Sequence, residues 1–129
     1  MAFGQADAER AAIEMTYEDI AVVERTTPQR RENSITESVP SVVYDAVICA
    51  LSYTGSDNSR QTDAQNAIDY SAVIFAAPDL SILPGDIIRL KRFGRDDPSS
   101  KINLVFEVVG RPSVYATHQE IGVKDGDLA

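Results

Sequence analysis

The sequence predicts a mainly β protein: a small antiparallel β-barrel of about six strands, with long loops and an N-terminal arm or short helix. Short apolar segments recur along the chain, and their residues alternate between two faces. Residues typical of turns separate these segments, and helical signal is confined to the N-terminus. Several short strands joined by turns are typical of a barrel or a sandwich, and closure of a barrel protects its edge strands.

The first 15 residues favour a short helix or a tail, because good helix formers dominate them: Ala6, Ala8, Glu9, Ala11 and Ala12. Ile13 and Met15 could pack against the rest of the chain, although so short a helix is marginal in isolation. We therefore predict an N-terminal arm over residues 1–16, a β-barrel domain over 17–124 and a C-terminal tail over 125–129.

Strand periodicity begins at Tyr17. The predicted strands are 17–25, 42–53, 67–76, 86–92, 102–112 and a last candidate over 113–123. The second of these is the most apolar. Its alternation places Asp45 on one face with Val43, Val47, Cys49, Leu51 and Tyr53.

Two predicted connections stand out. Residues 26–41 form a polar stretch with two prolines and little apolar content, which we interpret as a long loop; compact domains rarely keep such loops without a use. Pro84-Gly85-Asp86 predicts a tight turn before the strand 86–92. Pro84 presets φ, Gly85 accepts positive φ, and the Asp86 carboxylate can accept hydrogen bonds from nearby backbone N–H groups.

Length and composition indicate one domain with a modest core, since the chain has 129 residues, 43% of them hydrophobic and 25% charged. No apolar run approaches the roughly 20 residues that span a bilayer. The single cysteine, Cys49, excludes an internal disulfide and fits an intracellular or particle-bound setting. The net charge of −8 argues against tight DNA binding, which needs a basic face.

Residue types that could carry chemistry are sparse, and we predict neither an enzyme nor a cofactor. Cys49 and His118 are the only nucleophile–base pair, and Cys49 lies in an apolar strand where a thiol is an inert small hydrophobe. No second histidine completes a zinc site. Asp96-Asp97, and Asp125 with Asp127, lack the ligand spacing of a calcium loop.

One basic cluster is present, formed by Arg89, Lys91, Arg92 and Arg95. The plainer interpretation is a solvated hairpin. The sharper one is a docking patch for an acidic protein partner or a weak contact to DNA. No aromatic residues interleave the cluster, as a platform for single-stranded nucleic acid would require.

The order of the segments, with Gly85-Asp86 before a strand and "FEVVGRP" at 106–112 near the C-terminus, resembles the head-closure proteins of tailed bacteriophages. These proteins, also called stoppers or head-completion proteins, belong to the head–tail connector. The resemblance covers roughly residues 17–123. Tyr115 stands where the family often has an aromatic residue after the proline, whereas the acidic extension before Met15 departs from the pattern.

The resemblance implies a structural virion protein, assembled in the host cytoplasm and located at the neck between head and tail. It implies a homo-oligomeric ring below the portal and adaptor proteins, which closes the DNA-filled head and provides the attachment interface for tail proteins. Packaged double-stranded DNA would pass through the channel with weak, non-specific contact. No membrane is implied.

The same resemblance implies roles for particular residues. Loop 26–41 would project into the channel as a gate, where Arg30 and Arg31 touch DNA while Glu32 and Glu37 limit the grip. Docking between subunits or with partners would use apolar and basic residues: Ile88, Arg89, Lys91, Arg92, Phe93, Arg95, Val114 and Tyr115.

Three alternatives remain open. The chain could be a neighbouring connector or tail-terminator protein. It could be a small OB-like or SH3-like binding module, although the net charge of −8 and the aromatic content of 7% count against a nucleic-acid groove. It could also be an enzyme that uses Cys49 or His118.

Overall fold

The computed structural model describes residues 2–30, 36–53 and 71–126. One helix, α1, spans Ala2–Glu14 and precedes all the strands. The strands are β1 (Asp19–Arg30), β2 (Thr36–Tyr53), β3 (Ala72–Ala76), β4 (Ile87–Lys91), β5 (Asn103–Val108), β6 (Ser113–Val114) and β7 (Gln119–Asp125).

Six of the strands close into an antiparallel barrel. Neighbouring strands follow the order β3-β2-β1-β4-β5-β7, and β7 pairs back with β3 to complete the circle. The short strand β6 pairs with β7 outside this circle. The predicted fold class, a small barrel of about six strands with a short N-terminal helix, is therefore confirmed.

The barrel interior is aliphatic and is filled by alternate residues of each strand, as the period of two requires. Phe106 is the largest fully buried side chain and lies within one continuous cluster. The other fully enclosed members include Cys49, Ala72, Ile74, Ile88, Leu90, Val108, Ile121 and Val123. Burial of this cluster is the main favourable contribution to folding.

A β-bulge interrupts the alternation in β2. Ala21 of β1 pairs with Val47, whereas Val23, two residues further on, pairs with Tyr44, so β2 carries an extra residue there. Val47 is consequently buried while Asp45 is exposed. The prediction that Asp45 and Val47 share one face is wrong, because the bulge changes the face of the sheet to which the Asp45 side chain points.

The prediction of a long loop over 26–41 is wrong for the described residues of this segment, because they form paired strands. Residues 25–30 of β1 pair with residues 36–41 of β2 and, among the described residues, with no other strand, since β4 reaches β1 only at Ile20–Glu24. We call this two-stranded extension the β-ribbon. Its prolines, Pro28 and Pro40, are tolerated because each of its strands pairs on one side only with the described part of the chain.

Two further segments differ from the predicted strands. The candidate over 113–123 divides into β6 and β7, with a turn between them. Strand β3 begins at Ala72, and residues 67–70 of the predicted strand lie outside the described residues. Across the ranges that the structure describes, no helix has the length and apolar character needed to cross a bilayer.

Candidate functional site

The Pro84-Gly85-Asp86 turn is the centre of a hydrogen-bonded corner. Gly85 has φ of 91°, and the Asp86 carboxylate accepts a hydrogen bond of 2.9 Å from the backbone N–H of Leu83. Both properties were predicted and are confirmed. The Gly85 N–H donates to the carbonyl of Val108 at 2.9 Å, and the Val108 N–H donates to the carbonyl of Asp86 at 2.9 Å. The two segments that carry the family resemblance are therefore bonded to each other.

Arg25 joins this corner to the foot of the β-ribbon. Its Nε donates to Asp86 Oδ1 at 2.9 Å and its Nη2 to Asp86 Oδ2 at 2.8 Å, a bidentate ion pair on a buried carboxylate. Nη2 also donates to the carbonyl of Ser81 at 2.9 Å. The hydrogen bonds to Asp86 raise the pKa of the Arg25 guanidinium. Because Arg25 begins the β-ribbon, this pair holds its base against the barrel.

A second buried aspartate, Asp19, organises the opposite end of β1. Its Oδ2 accepts from the Leu51 N–H at 2.8 Å and from Arg92 Nη1 at 3.0 Å, and its Oδ1 accepts from the Phe93 N–H at 2.7 Å. The Arg92 guanidinium carbon lies 4.8 Å from the centroid of the Phe93 ring. These contacts hold Phe93 at φ of 62°, a conformation that non-glycine residues rarely adopt.

The four residues of the predicted basic cluster do not act together: two of them make hydrogen bonds inside the protein and two lie on its outer surface. Arg92 is committed to Asp19, and Arg95 Nη1 donates to the carbonyls of Glu14 at 2.6 Å and Tyr17 at 2.9 Å. Arg95 thus satisfies carbonyls at the C-terminal end of α1 and attaches the helix to the barrel. Arg89 and Lys91 remain on the outer surface of β4.

Arg89 and Lys91 border a concave region on the outside of the barrel, which we call the outer groove. Its volume is about 320 Å³, and it is lined by Ile20, Ala21, Val22, Asp45, Arg89, Leu90, Lys91, Asn103, Leu104 and Val105. Arg89 pairs with Glu24 across the strands at 3.0 Å, and Lys91 Nζ donates to the carbonyl of Pro98 at 3.1 Å. In this groove the two cations of β4 lie between apolar side chains of the flanking strands, Ile20 and Val22 of β1 and Val105 of β5.

The predicted apolar docking residues differ in their exposure to solvent. Ile88 was expected on the surface, but only 1% of it is exposed, because it shares the inner face of β4 with Leu90. That prediction is wrong, since the register of the strand directs Ile88 into the core. Phe93, Val114 and Tyr115 are exposed, but they lie in separate loops and in β6.

The only nucleophile–base pair, Cys49 and His118, is not arranged for catalysis. Cys49 is fully buried inside the barrel, and its burial, with a smaller contribution from Asp19, raises the pKa of the thiol to about 12. His118 lies on the outer side of the sheet, stacked on Tyr115 with ring centroids 4.9 Å apart. Its Nε2 is 3.1 Å from Glu120 Oε2.

A second cavity of about 290 Å³ lies where the end of α1 meets the barrel, lined by Ile13, Thr16, Tyr17, Ala50, Phe75 and His118. The Tyr17 hydroxyl is buried and has no hydrogen-bond partner among the described residues. Burial raises the pKa of Tyr17. No group of three or more His, Cys, Asp or Glu residues in the described ranges is arranged to hold a metal ion.

Two of the four residues assigned to the channel, Arg30 and Glu37, lie on the β-ribbon. Arg30 ends β1 and pairs with Thr36, and Glu37 pairs with Gln29, but the structure describes only the backbone of Arg30 and Glu37. Arg31 and Glu32 lie outside the described residues.

Sequence reasoning missed the partners of the two buried aspartates. Asp19 carried a usable signal, since a carboxylate at the start of an apolar strand needs a partner if it is buried. Arg25 carried no signal, because its partner lies 61 positions further along the chain.

No protein-family model matches this chain, and no curated protein matches it by sequence. The fold is similar to the solution structure of protein SF1141 from Shigella flexneri 2a, with a TM-score of 0.63 and 13% sequence identity. The alignment covers 88% of this chain and 96% of that protein. At this identity the similarity establishes a shared fold.

Proposed function

We propose that this protein is a structural component of the head–tail connector of a tailed bacteriophage. In this role copies of the chain form a ring below the portal and its adaptor, close the DNA-filled head and provide the surface to which the tail attaches. The residues that resemble head-closure proteins, the shape of the barrel and the charge of the chain each support this proposal.

The observation that carries the proposal is the corner formed by Gly85-Asp86 and residues 106–112. These two segments meet at the open end of the β4–β5 pair and bond to each other through Gly85, Asp86 and Val108. Through Asp86 the corner also binds Arg25 at the foot of the β-ribbon. The shared motif therefore supports an extension that projects beyond the barrel, which is the shape a channel-lining element of a ring requires.

The acidic character of the chain supports the same role. A net charge of −8 opposes tight binding to phosphate, so DNA can move past the protein with little retention. The polar β-ribbon carries a few cations and acids of its own, which limits any contact with DNA to a weak one. A protein that bound DNA tightly would hinder ejection of the DNA from the head.

The binding-module alternative receives less support from the geometry. Of the four cations in its predicted basic patch, Arg92 and Arg95 are occupied inside the protein by a carboxylate and by helix carbonyls. Arg89 is paired with Glu24. This leaves a surface with little positive charge for nucleic acid to neutralise.

The test is mass photometry with negative-stain imaging of the purified chain, alone and mixed with DNA-filled, tailless heads. We expect self-association and a disc of added density that caps the portal vertex. A chain that stays monomeric and leaves the heads unchanged would contradict the proposal. In that case a strong, salt-dependent affinity for single-stranded DNA would establish the binding module instead.

A second experiment examines the β-ribbon. Heads capped by a variant in which residues 26–40 are replaced by Asn-Gly should leak DNA faster than heads capped by the unaltered chain, although the variant still binds the vertex. Equal DNA retention by the two kinds of capped head would show that the β-ribbon has no gating role.

A further inference from the structure

The cavity of about 290 Å³ where the end of α1 meets the barrel has no part in the proposed connector role, and we call it the α1 cavity. Ala50 and Phe75, which are partners across β2 and β3, line it from the side of the barrel. The rest of the lining consists of Ile13, Thr16, Tyr17 and His118. The cavity has room for a small organic molecule, since a cavity of roughly 150 Å³ already binds benzene.

Two aromatic rings on the barrel side of the cavity are held in fixed positions. The rings of Phe75 and His118 lie 5.9 Å apart at an angle of 49°. Tyr115 stacks on His118 with ring centroids 4.9 Å apart. The two nitrogens of the His118 ring lie 3.1 Å from Thr117 Oγ1 and 3.1 Å from Glu120 Oε2. The site is therefore formed before a ligand arrives, and an aromatic ligand gains ring contacts beyond the area that it buries.

The chemistry of the lining restricts the ligand to an uncharged one. No Asp, Glu, Lys or Arg from the described ranges lines the α1 cavity. The Thr16 hydroxyl already donates to the carbonyl of Ile13 at 2.6 Å, and both ring nitrogens of His118 have the partners given above. A charged ligand would lose water without gaining a partner, which is unfavourable.

The Tyr17 hydroxyl is the side-chain polar group of this lining that lacks a hydrogen-bond partner among the described residues. Tyr17 is only 3% exposed, and a buried hydroxyl without a partner lowers stability. Such groups are rare in native proteins, and each requires an explanation. A ligand that accepts a hydrogen bond from this hydroxyl explains why the position holds Tyr rather than Phe.

We propose that the α1 cavity binds a small, uncharged aromatic molecule that carries one hydrogen-bond acceptor. The ring of the ligand lies against Phe75 and His118, and its acceptor takes the hydrogen bond that the Tyr17 hydroxyl donates. This binding site goes beyond the connector role and does not depend on it.

The end of α1 is the wall that moves when the ligand enters, because the Tyr17 hydroxyl is enclosed in the free protein. No described strand packs extensively against α1. The helix is attached instead through side chains: Arg10 pairs with Asp79 at 3.2 Å, and Arg95 donates to the carbonyls of Glu14 and Tyr17. A small outward shift of the helix end gives the ligand access and leaves the strands in place.

Two probes of nearly the same shape test the role of Tyr17. Acetophenone carries a carbonyl oxygen where α-methylstyrene carries a methylene group, so only acetophenone can accept the hydrogen bond. We expect wild-type chain to bind acetophenone saturably in ligand-observed NMR, and Tyr17→Phe to weaken this binding about tenfold. α-Methylstyrene should bind both chains equally. Absence of saturable acetophenone binding to the wild type would overturn the proposal, as would an equal effect of Tyr17→Phe on the two probes.

A pair of matched variants tests the location. Ala50→Leu fills the cavity from the barrel side and should abolish binding of both probes. Ala46→Leu makes the same change at an exposed position of the same strand, outside the cavity, and should leave binding unchanged. Circular dichroism checks the fold of each variant. Acetophenone that still binds to folded Ala50→Leu chain would overturn the proposal.

Chemical-shift mapping on the wild-type chain locates the probe without any substitution. Acetophenone should shift the amide resonances of Ile13, Ala50 and His118 more than those of the β4–β5 pair. Shifts spread evenly over the barrel would overturn the site, whether or not the variants fold.

These outcomes are distinguishable from those that concern the connector, because the probes are added to the free chain without heads. Acetophenone binding by a chain that forms no ring would support the site and contradict the connector role. If the wild type binds neither probe while Ala50→Leu abolishes attachment to heads, the cavity receives a side chain of a partner protein. That result would overturn the small-molecule site and leave the connector role standing.

Discussion

Two carboxylates inside the protein, Asp19 and Asp86, account for most of its specific polar structure. Each is only 1% exposed, and each is satisfied by an arginine and by backbone N–H groups. Buried charges of this kind are tolerated only when they are paired and hydrogen-bonded. Because their partners come from distant parts of the chain, they fix how loops and strands meet.

Replacing Asp86 with Ala should lower the free energy of unfolding by about 3 kcal/mol, because it leaves the Arg25 guanidinium without its carboxylate partner and removes the acceptor for the Leu83 N–H. Urea unfolding measures the loss. Asp79→Ala is the matched control: it also breaks an arginine pair, but Asp79 is exposed, and we expect a cost of no more than about 0.5 kcal/mol. Equal costs for the two variants would refute the structural role of the corner.

Two tyrosines should respond oppositely to loss of the hydroxyl. Tyr17→Phe should raise the free energy of unfolding by about 1 kcal/mol, since the Tyr17 hydroxyl is buried without a partner among the described residues. Tyr44→Phe should lower it by a similar amount, because the Tyr44 hydroxyl accepts a hydrogen bond of 2.9 Å from the Ser81 N–H. Thermal unfolding of both variants gives the sign of each change in stability. Destabilisation by Tyr17→Phe would show that the Tyr17 hydroxyl has a hydrogen-bond partner.

Cys49 makes stability depend on alkaline pH. Below about pH 9 the thiol is protonated in both states, whereas above it the unfolded thiol ionises and the folded one, with its pKa raised to about 12, does not. The stability that this group contributes is therefore complete below pH 9 and is lost as pH rises towards 12.

This dependence can be measured against a Cys49→Ala chain. Between about pH 8 and about pH 10.5, the free energy of unfolding should fall more steeply for the wild type than for the variant. Urea unfolding at several pH values gives both curves. Parallel curves would mean that the thiol ionises as readily in the folded protein as in the unfolded one.

Among the elements, the β-ribbon is the one whose two strands pair mainly with each other. Within the described ranges, the residues of β1 beyond Glu24 pair only with β2, and β3 meets β2 only at Ala50–Tyr53. Its link to the rest of the barrel is the Arg25–Asp86 pair at its foot. The β-ribbon is therefore positioned by one corner and is otherwise independent of the core.

Removing the β-ribbon should leave the barrel intact. In a variant that keeps Arg25 and Ser41 and joins them by Asn-Gly, we expect the free energy of unfolding to change by no more than about 1 kcal/mol, because the core of the described residues contains none of the residues removed and a two-residue turn closes the ends. Urea unfolding and circular dichroism test this. Collapse of the β signal would show that the β-ribbon helps to nucleate or close the barrel.

At the scale of the whole molecule, closure of the barrel depends on a short seam between β5 and β7. Phe106, Glu107 and Val108 pair with β7 there. Two hydrogen bonds of 2.9 Å extend the seam, from the Val109 N–H to the carbonyl of Gly122 and from the Gly126 N–H to the carbonyl of Val105. Residue 126 has to be glycine, because a Cβ at this position would lie 2.8 Å from the backbone carbonyl carbon of Phe106.

Gly126→Ala should therefore cost about 2 kcal/mol of unfolding free energy and loosen the seam. Hydrogen exchange should speed up for amides of 106–108 and 123–126 more than for those of the β1–β4 pairing. Lys124→Ala, on the exposed side of the same strand, is the control and should stay within about 0.5 kcal/mol. Uniform acceleration of exchange across the barrel would contradict a locally weak seam.

Several features follow from local chemistry and could be read from the sequence. The alternation of apolar residues identifies the core face of β5, and Pro84-Gly85-Asp86 specifies its turn, because φ preferences and hydrogen-bonding capacity act over a few residues. The burial of Cys49 also follows, since an apolar strand surrounds it. The polar composition of 26–41 did not disclose its pairing, because its residues show no alternation of apolar and polar side chains.

The sequence alone determined a small barrel of about six strands with a helix at its N-terminus, since period-two patterning and turn residues are local properties. Only the tertiary structure decided which charges are used internally and which remain on the surface. Arg92 and Arg95 turn inward while Arg89 and Lys91 stay outside, and Ile88 is buried, because strand register and the positions of Asp19 and of the end of α1 arise only when distant segments meet.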